Sequence, residues 1–376
     1  MKINHHSIIG VGIAAAMLFF AACVPTPAQQ EVQPTATDID LTNITSNPTA
    51  FVYRLPTGFP QPTVNPNNPM TVEGVTLGRY LFYDKRLSST KTQACGSCHA
   101  PVQGMSDARR FSMGVTGVAG TRQAMAIQNL AFGSTDFFWD GRTSTLEKQA
   151  FEPVENPIEM HETWANVEQK LRADTMYHRL FRKAFNITKV SGITRILATR
   201  ALEQFEKSIV VGENSRYYKV FVKGIGFPTD EEQDGYDMYN NRTTLPDAQC
   251  FHCHNEPIFK SSDYFNNGIT EAATLNDFPD KGRGGATNIA IDNGKFRAPT
   301  LWNIALTAPY MHDGSMQTLT EVIEHYASHG KYSPNKDAFV GQISLTEPQK
   351  QSILAFLNTL TDTITLKKAE FQDPFR

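Results

Sequence analysis

Residues 250–254 read CFHCH, and residues 95–99 read CGSCH. Each packs the pattern C-x-x-C-H into five positions, and the cofactor that pattern serves decides what fold the chain must build. A porphyrin presents two vinyl groups on one edge. Cysteines three apart on a helical turn reach one each, and the histidine that follows faces the iron. A zinc site built from all four thiols would have to join pairs at 95/98 and 250/253, far outside finger or ribbon spacing. A dithiol redox pair would need a βαβ context, which neither motif has. The reading is two c-type haems, attached through Cys95 and Cys98 and through Cys250 and Cys253, with His99 and His254 as proximal iron ligands. His252, inside the second motif, is given no ligand role.

The remaining cysteine supports this. The 376-residue chain has five cysteines, and the fifth, Cys23, follows an apolar run from Ile8 to Phe20 and two alanines. Lys2 ahead of that run gives the layout of a secretory leader, too short for a membrane span. FAAC resembles a bacterial lipobox, which predicts cleavage after residue 22 and lipidation of Cys23. The protein would then sit in the periplasm or cell envelope on a lipid anchor. No thiol is left for a structural disulfide, so an exported chain is spending its thiols on chemistry. Residues 23–68 are rich in Pro, Thr, Asn and Gln and read as a flexible tether. A formal net charge of −3 offers no global basic field for nucleic acid.

Helical periodicity surrounds both motifs. Ile193, Ile196, Leu197, Phe205 and Ile209 recur at three-and-four spacing. Thr346 with Gln349 forms a capping box, Pro348 enters the first turn, and Ile353, Phe356, Leu357 and Leu360 follow as a stripe. No run of alternating strands appears. The predicted fold is mostly α, with two cytochrome c-like domains, each with one covalently bound haem, over residues 69–226 and 227–376.

Three longer stretches carry a further signal: LGRYLFYDKRLSSTKTQACGSCHAP, FFWDGRTSTLEKQAFEPVENPIEM and GKFRAPTLWNIALTAPYMHDGSMQTLTEVIEHY. Together they closely resemble the bacterial di-haem cytochrome c peroxidase family, which includes the methylamine-utilisation protein MauG. The resemblance covers roughly residues 70–362. It implies that the His99 haem meets hydrogen peroxide and the His254 haem receives electrons from a small cytochrome c or cupredoxin. Glu159 of NPIEM matches the family's distal catalytic glutamate, Gln149 its distal glutamine, and Trp139 the tryptophan between the haems. A carboxylate near the iron suits O–O cleavage because it removes one proton and returns it to the leaving oxygen.

No histidine lies between Ala100 and Met160, so the first iron is expected to keep an open position. Met105, Met113 and Met125 in that interval read as core fillers. At the second iron the resemblance puts Tyr326 where peroxidases carry a methionine, as in MauG-like members, with Met311 and Met316 as rivals. Thr307 and Pro309 match the backbone-carbonyl ligands of the family's inter-domain calcium. Gln123 stands where the family has the asparagine that helps bind it. Trp302 replaces a family arginine near the second haem. The activity implied is cytochrome-linked reduction of peroxide; the alternative is MauG-like oxidation of tryptophan or tyrosine on a partner protein. A homodimer is carried as the assembly.

Overall fold

Regular structure in the computed structural model, which describes residues 38–133, 136–242 and 248–376, is almost entirely helical. In chain order the helices are α1 (Val72–Tyr83), α2 (Leu146–Glu155), α3 (Trp164–Arg172), α4 (Thr175–Phe185), α5 (Arg195–Ser208) and α6 (Asp230–Tyr239). They continue as α7 (Cys250–Cys253), α8 (Arg283–Thr287), α9 (Leu319–Ala327) and α10 (Glu347–Thr359). The sheet found among the described residues pairs β1 (Tyr264–Phe265) with β2 (Phe296–Arg297), antiparallel. None of the described helices is long and apolar enough to cross a membrane. The leader, Cys23 and the tether up to residue 37 lie outside the described residues.

Two helix crossings, each closed over a glycine, organise the chain. A Cβ on Gly78 of α1 would come within 1.9 Å of the Ala201 carbonyl of α5 and 2.8 Å of the Phe205 Cβ. A Cβ on Gly235 of α6 would come within 2.0 Å of the Ser352 carbonyl of α10 and 2.8 Å of the Phe356 Cβ. The same glycine-under-phenylalanine crossing thus occurs once beside each C-x-x-C-H motif. Only a residue without a side chain lets backbones approach so closely. Phe82, Phe205, Tyr239 and Phe356 are wholly buried at the two crossings. One continuous apolar cluster runs through both.

Three local expectations compare instructively with the structure. Thr346 and Gln349 do form the capping box of α10, and Ile353, Phe356, Leu357 and Leu360 are buried. In α5 the buried face is Ala198, Ala201, Leu202 and Phe205, while Ile196 is 49% exposed. Apolar spacing misplaced Ile196 because α5 also buries polar side chains: Gln204 takes the Thr71 N–H at 2.9 Å, and Lys207 pairs with Glu203 at 2.7 Å. Their partners correct the tether, which is docked from residue 38 onward. Leu41 is buried and bonds Thr188. Asn65 and Asn68 donate to Glu203 at 3.3 and 3.0 Å. Most of the stretch is exposed, but these few buried and half-buried contacts fix it to the fold. The C-terminus also crosses over: Tyr83 donates to the Phe371 carbonyl at 2.5 Å and Arg79 to that of Gln372 at 2.7 Å.

Candidate haem sites and the wall between them

His254 closes α7, and its Nδ1 lies 2.9 Å from the Pro299 carbonyl. A carbonyl only accepts, so Nδ1 carries the proton and Nε2 keeps its lone pair, the tautomer a metal-binding histidine needs. Burial pushes the ring down to about 4, so it stays neutral. The cavity it borders encloses about 1530 Å³, counting the open space at its mouth. Cys250, Cys253, Leu345, Ile353 and Leu357 line it, as does the anticipated α9 face of Leu319, Val322, Ile323 and Tyr326.

Tyr326 and Met311 meet at one amide in this cavity. Asn267 Nδ2 lies 3.2 Å from the Met311 sulfur and 3.4 Å from the Tyr326 hydroxyl. Asn267 is itself fixed, its carbonyl holding His325 Nε2 at 2.9 Å. Met316 is not among the lining residues; its carbonyl takes the Tyr310 N–H. His252 turns to stack on Phe339, ring centroids 3.6 Å apart.

The first motif repeats the histidine geometry. His99 Nδ1 donates to the Met105 carbonyl at 3.2 Å, and burial lowers its pKa. Met105 is therefore tied to the His99 ring through its backbone, while its side chain is wholly buried. Gln93 Nε2 reaches both Cys98 Sγ at 3.3 Å and the Met113 carbonyl at 2.9 Å. Two residues on, the Val115 N–H bonds the Glu159 carbonyl at 2.8 Å. One strap thus ties the cysteine turn to the NPIEM loop. Glu159 is buried enough to raise its pKa, against the lowering effects of the Asn156 hydrogen bond and Arg142. Asn156 Nδ2 holds Oε1 at 2.7 Å. Gln149 lies on α2, half-buried, just ahead of that loop.

The wall between the sites is thin. Met105 bonds His99, and its chain neighbour Ser106 lines the second cavity, as do Gln123, Met125 and Trp139. Trp139 donates Nε1 to the Gln123 carbonyl at 2.7 Å, and the Gln123 N–H bonds the His312 carbonyl at 2.8 Å. His312 stacks on Phe296 at 3.5 Å. Thr307 and Pro309 line the same cavity. Trp302 is wholly buried among Phe59, Tyr217 and Phe259, with Nε1 on the Pro257 carbonyl at 3.1 Å.

The residues fit a haem at each site. Both histidines present an unprotonated Nε2, none of the four motif cysteines is in a disulfide, and Ser106 Oγ is buried beside the second cavity without a hydrogen-bond partner among the described residues. On the first side, Glu206 is buried near enough to Cys95 to act on it electrostatically, and its Oε2 lacks a partner. Burial, then the Glu203 charge, pushes Glu206 up to about 8. The native state keeps this proton until about pH 8, whereas the unfolded chain releases it near its ordinary value. Stability is therefore lost as pH rises through that interval. Glu206→Gln is expected to match the parent Tm at pH 5 and exceed it at pH 9, by on the order of a few kcal/mol in stability. A gap that does not widen with pH places an ionised Glu206 in the native state.

Two such histidine sites define a helical protein built on a pair of C-x-x-C-H motifs. Residues 72–224 match the family described as di-haem cytochrome c peroxidase. MauG of Methylorubrum extorquens is 31% identical over 82% of this chain and 83% of its own length. The cytochrome c551 peroxidase of Nitrosomonas europaea is 32% identical over 80% and 83%. The crystal structure of a MauG-like protein associated with microbial copper homeostasis superposes with a TM-score of 0.79 at 34% identity, covering 87% of this chain and all of that one. The chain belongs to the di-haem cytochrome c peroxidase family, an oxidoreductase family whose members imply two c-type haems.

Proposed function

We propose that this protein reduces hydrogen peroxide to water at the His99 haem, with electrons from a small periplasmic cytochrome c or cupredoxin entering at the His254 haem. The observation that carries this reading is Glu159: a half-buried carboxyl, oriented by Asn156, on a loop strapped to the cysteine turn of the first site. When bound, the haems supply the electrons; the side chains manage protons and access. Glu159 takes a proton from peroxide and returns it to the departing oxygen. Gln149 orients the substrate from α2. Asn156 holds the carboxylate so that its second oxygen is left for that exchange. Trp139, buried and fixed through Nε1, bridges the wall between the two sites.

The MauG-like alternative is favoured by Tyr326, whose hydroxyl reaches the cavity bordered by His254. Export, the Cys23 anchor, calcium at Thr307 and Pro309, a homodimer and the division at residue 226 belong to the same proposal. The test is steady-state turnover. Holoprotein given peroxide and a reduced small cytochrome or cupredoxin is expected to oxidise two donor equivalents per peroxide. Absence of turnover, with a long-lived peroxide-induced spectrum, would favour the alternative.

A further inference from the structure

The second cavity contains a guanidinium to which no side chain is hydrogen-bonded or ion-paired among the described residues. Arg297, on β2, lines it and is 8% exposed. Its backbone N–H is spent on the Trp139 carbonyl at 2.9 Å, and its guanidinium makes no hydrogen bond or ion pair among the described residues. The contact it does make is with the Phe137 ring, 5.7 Å from the centroid. Tyr264 and Asp136 act on it electrostatically without a hydrogen bond or ion pair, and Asp136 lies 3.4 Å from Arg283. Burial is strong enough to lower its pKa, yet a guanidinium cannot give up its proton. The charge must be paired by something else.

A second cation lies within electrostatic reach. Among the described residues Lys260 Nζ donates to the Asn129 carbonyl at 3.5 Å, and Gly133 packs against its stem. Burial first, then the Arg297 charge, drive its amine down to about 7. Glu256 and Asp263 border the same surface pocket as Lys260. Neither pairs with it: Glu256 is held by Tyr217 at 2.9 Å, and the Asp263 N–H bonds Ser261. Two desolvated cations without a carboxylate cost several kcal/mol unless an anion completes the site.

The cavity lining is mixed in chemistry. Leu345, Ile353 and Leu357, from α10 and the segment leading to it, line it with apolar side chains. The polar side chains Ser106, Gln123, Arg297 and His312 come from other segments. A macrocycle tethered by thioethers at one edge carries its two carboxylates on the opposite edge. We propose that Arg297 is the carboxylate anchor of the second cavity, holding a propionate of the haem seated on His254, with Lys260 as the second positive charge behind it. Anchoring one edge fixes the haem plane against Trp139, whose carbonyl and Arg297 N–H are already joined.

The experiment uses the full holoprotein and needs no peroxide, so it stands apart from the activity assigned above. Arg297→Gln is expected to keep two haems per chain by pyridine haemochrome, because the thioethers remain. Its second haem is expected to shift at least tenfold toward the oxidised form at fixed potential, 59 mV for a one-electron couple, because removing a cation disfavours the added electron. The propionate-bending band in resonance Raman is expected to move with it. Arg297→Lys restores part of the potential but not the band, since an ammonium lacks the guanidinium fork. Lys260→Met, which removes a buried charge without disturbing a bond network, lowers the same potential by less and leaves the band in place. An unchanged potential and band in Arg297→Gln would overturn the assignment. If that variant does not fold, a parental band in Arg297→Lys overturns it equally.

Discussion

Replacing Glu159 with glutamine is expected to slow the reaction of the oxidised holoprotein with peroxide on the order of 10²-fold or more, the scale on which losing a general acid–base group is felt. The substitution isolates the proton. Glutamine has the volume of glutamate, and its Oε1 still accepts from Asn156 Nδ2, so the loop held by the Val115–Glu159 bond keeps its shape. What disappears is the oxygen able to take a proton from peroxide and give it back. Burial raises this carboxyl above its ordinary value, which favours that return step. The rate constant from stopped-flow mixing checks this, with haem content and the resting spectrum as controls. Parental kinetics in Glu159→Gln would remove the residue from the mechanism.

How much of this was legible depended on whether the physics was local. C-x-x-C-H is read directly because covalent attachment leaves its requirement inside five residues. The helix pattern of α10 was equally plain, since its cap and apolar stripe are neighbours in sequence. Glu159, Gln149 and Trp139 look like any acid, amide and aromatic until longer motifs place them in a family. Asn156, three residues from Glu159, was missed although it orients the carboxylate, because asparagine before proline reads as turn chemistry. Asn267 and Glu206 lie outside the quoted stretches, and Arg297 sits inside one of them without a role that its neighbours reveal. Each matters through contacts with distant segments and through the water it has lost. The docked stretch 38–68 was misread for the same reason: its asparagines find Glu203 across the fold, and a hydropathy reading sees only their polarity.

Tyr326→Phe is expected to change the holoprotein's electronic and EPR spectra at the second haem, and the geometry at Asn267 explains why so small a change should register. The tyrosine hydroxyl and the Met311 sulfur share one amide, 3.4 and 3.2 Å away, beside the cavity that His254 borders. As ligands of a haem iron held by His254, the two would do opposite things. A phenolate oxygen stabilises the oxidised iron and lowers the potential; a thioether raises it. With tyrosine ligating, the lower potential demands a more strongly reducing donor; with Met311 ligating, a weaker donor suffices. Removing one hydroxyl therefore tests which of the two side chains sets the potential of the second haem. In Tyr326→Phe, Met311 is left alone at Asn267, and capture of the iron by its sulfur would raise the second haem's potential and speed reduction by a cytochrome. A tyrosine that merely packs on the α9 face with Leu319, Val322 and Ile323 would lose its hydroxyl and leave both spectra as they were, and that outcome would exclude Tyr326 as the ligand in the parent protein.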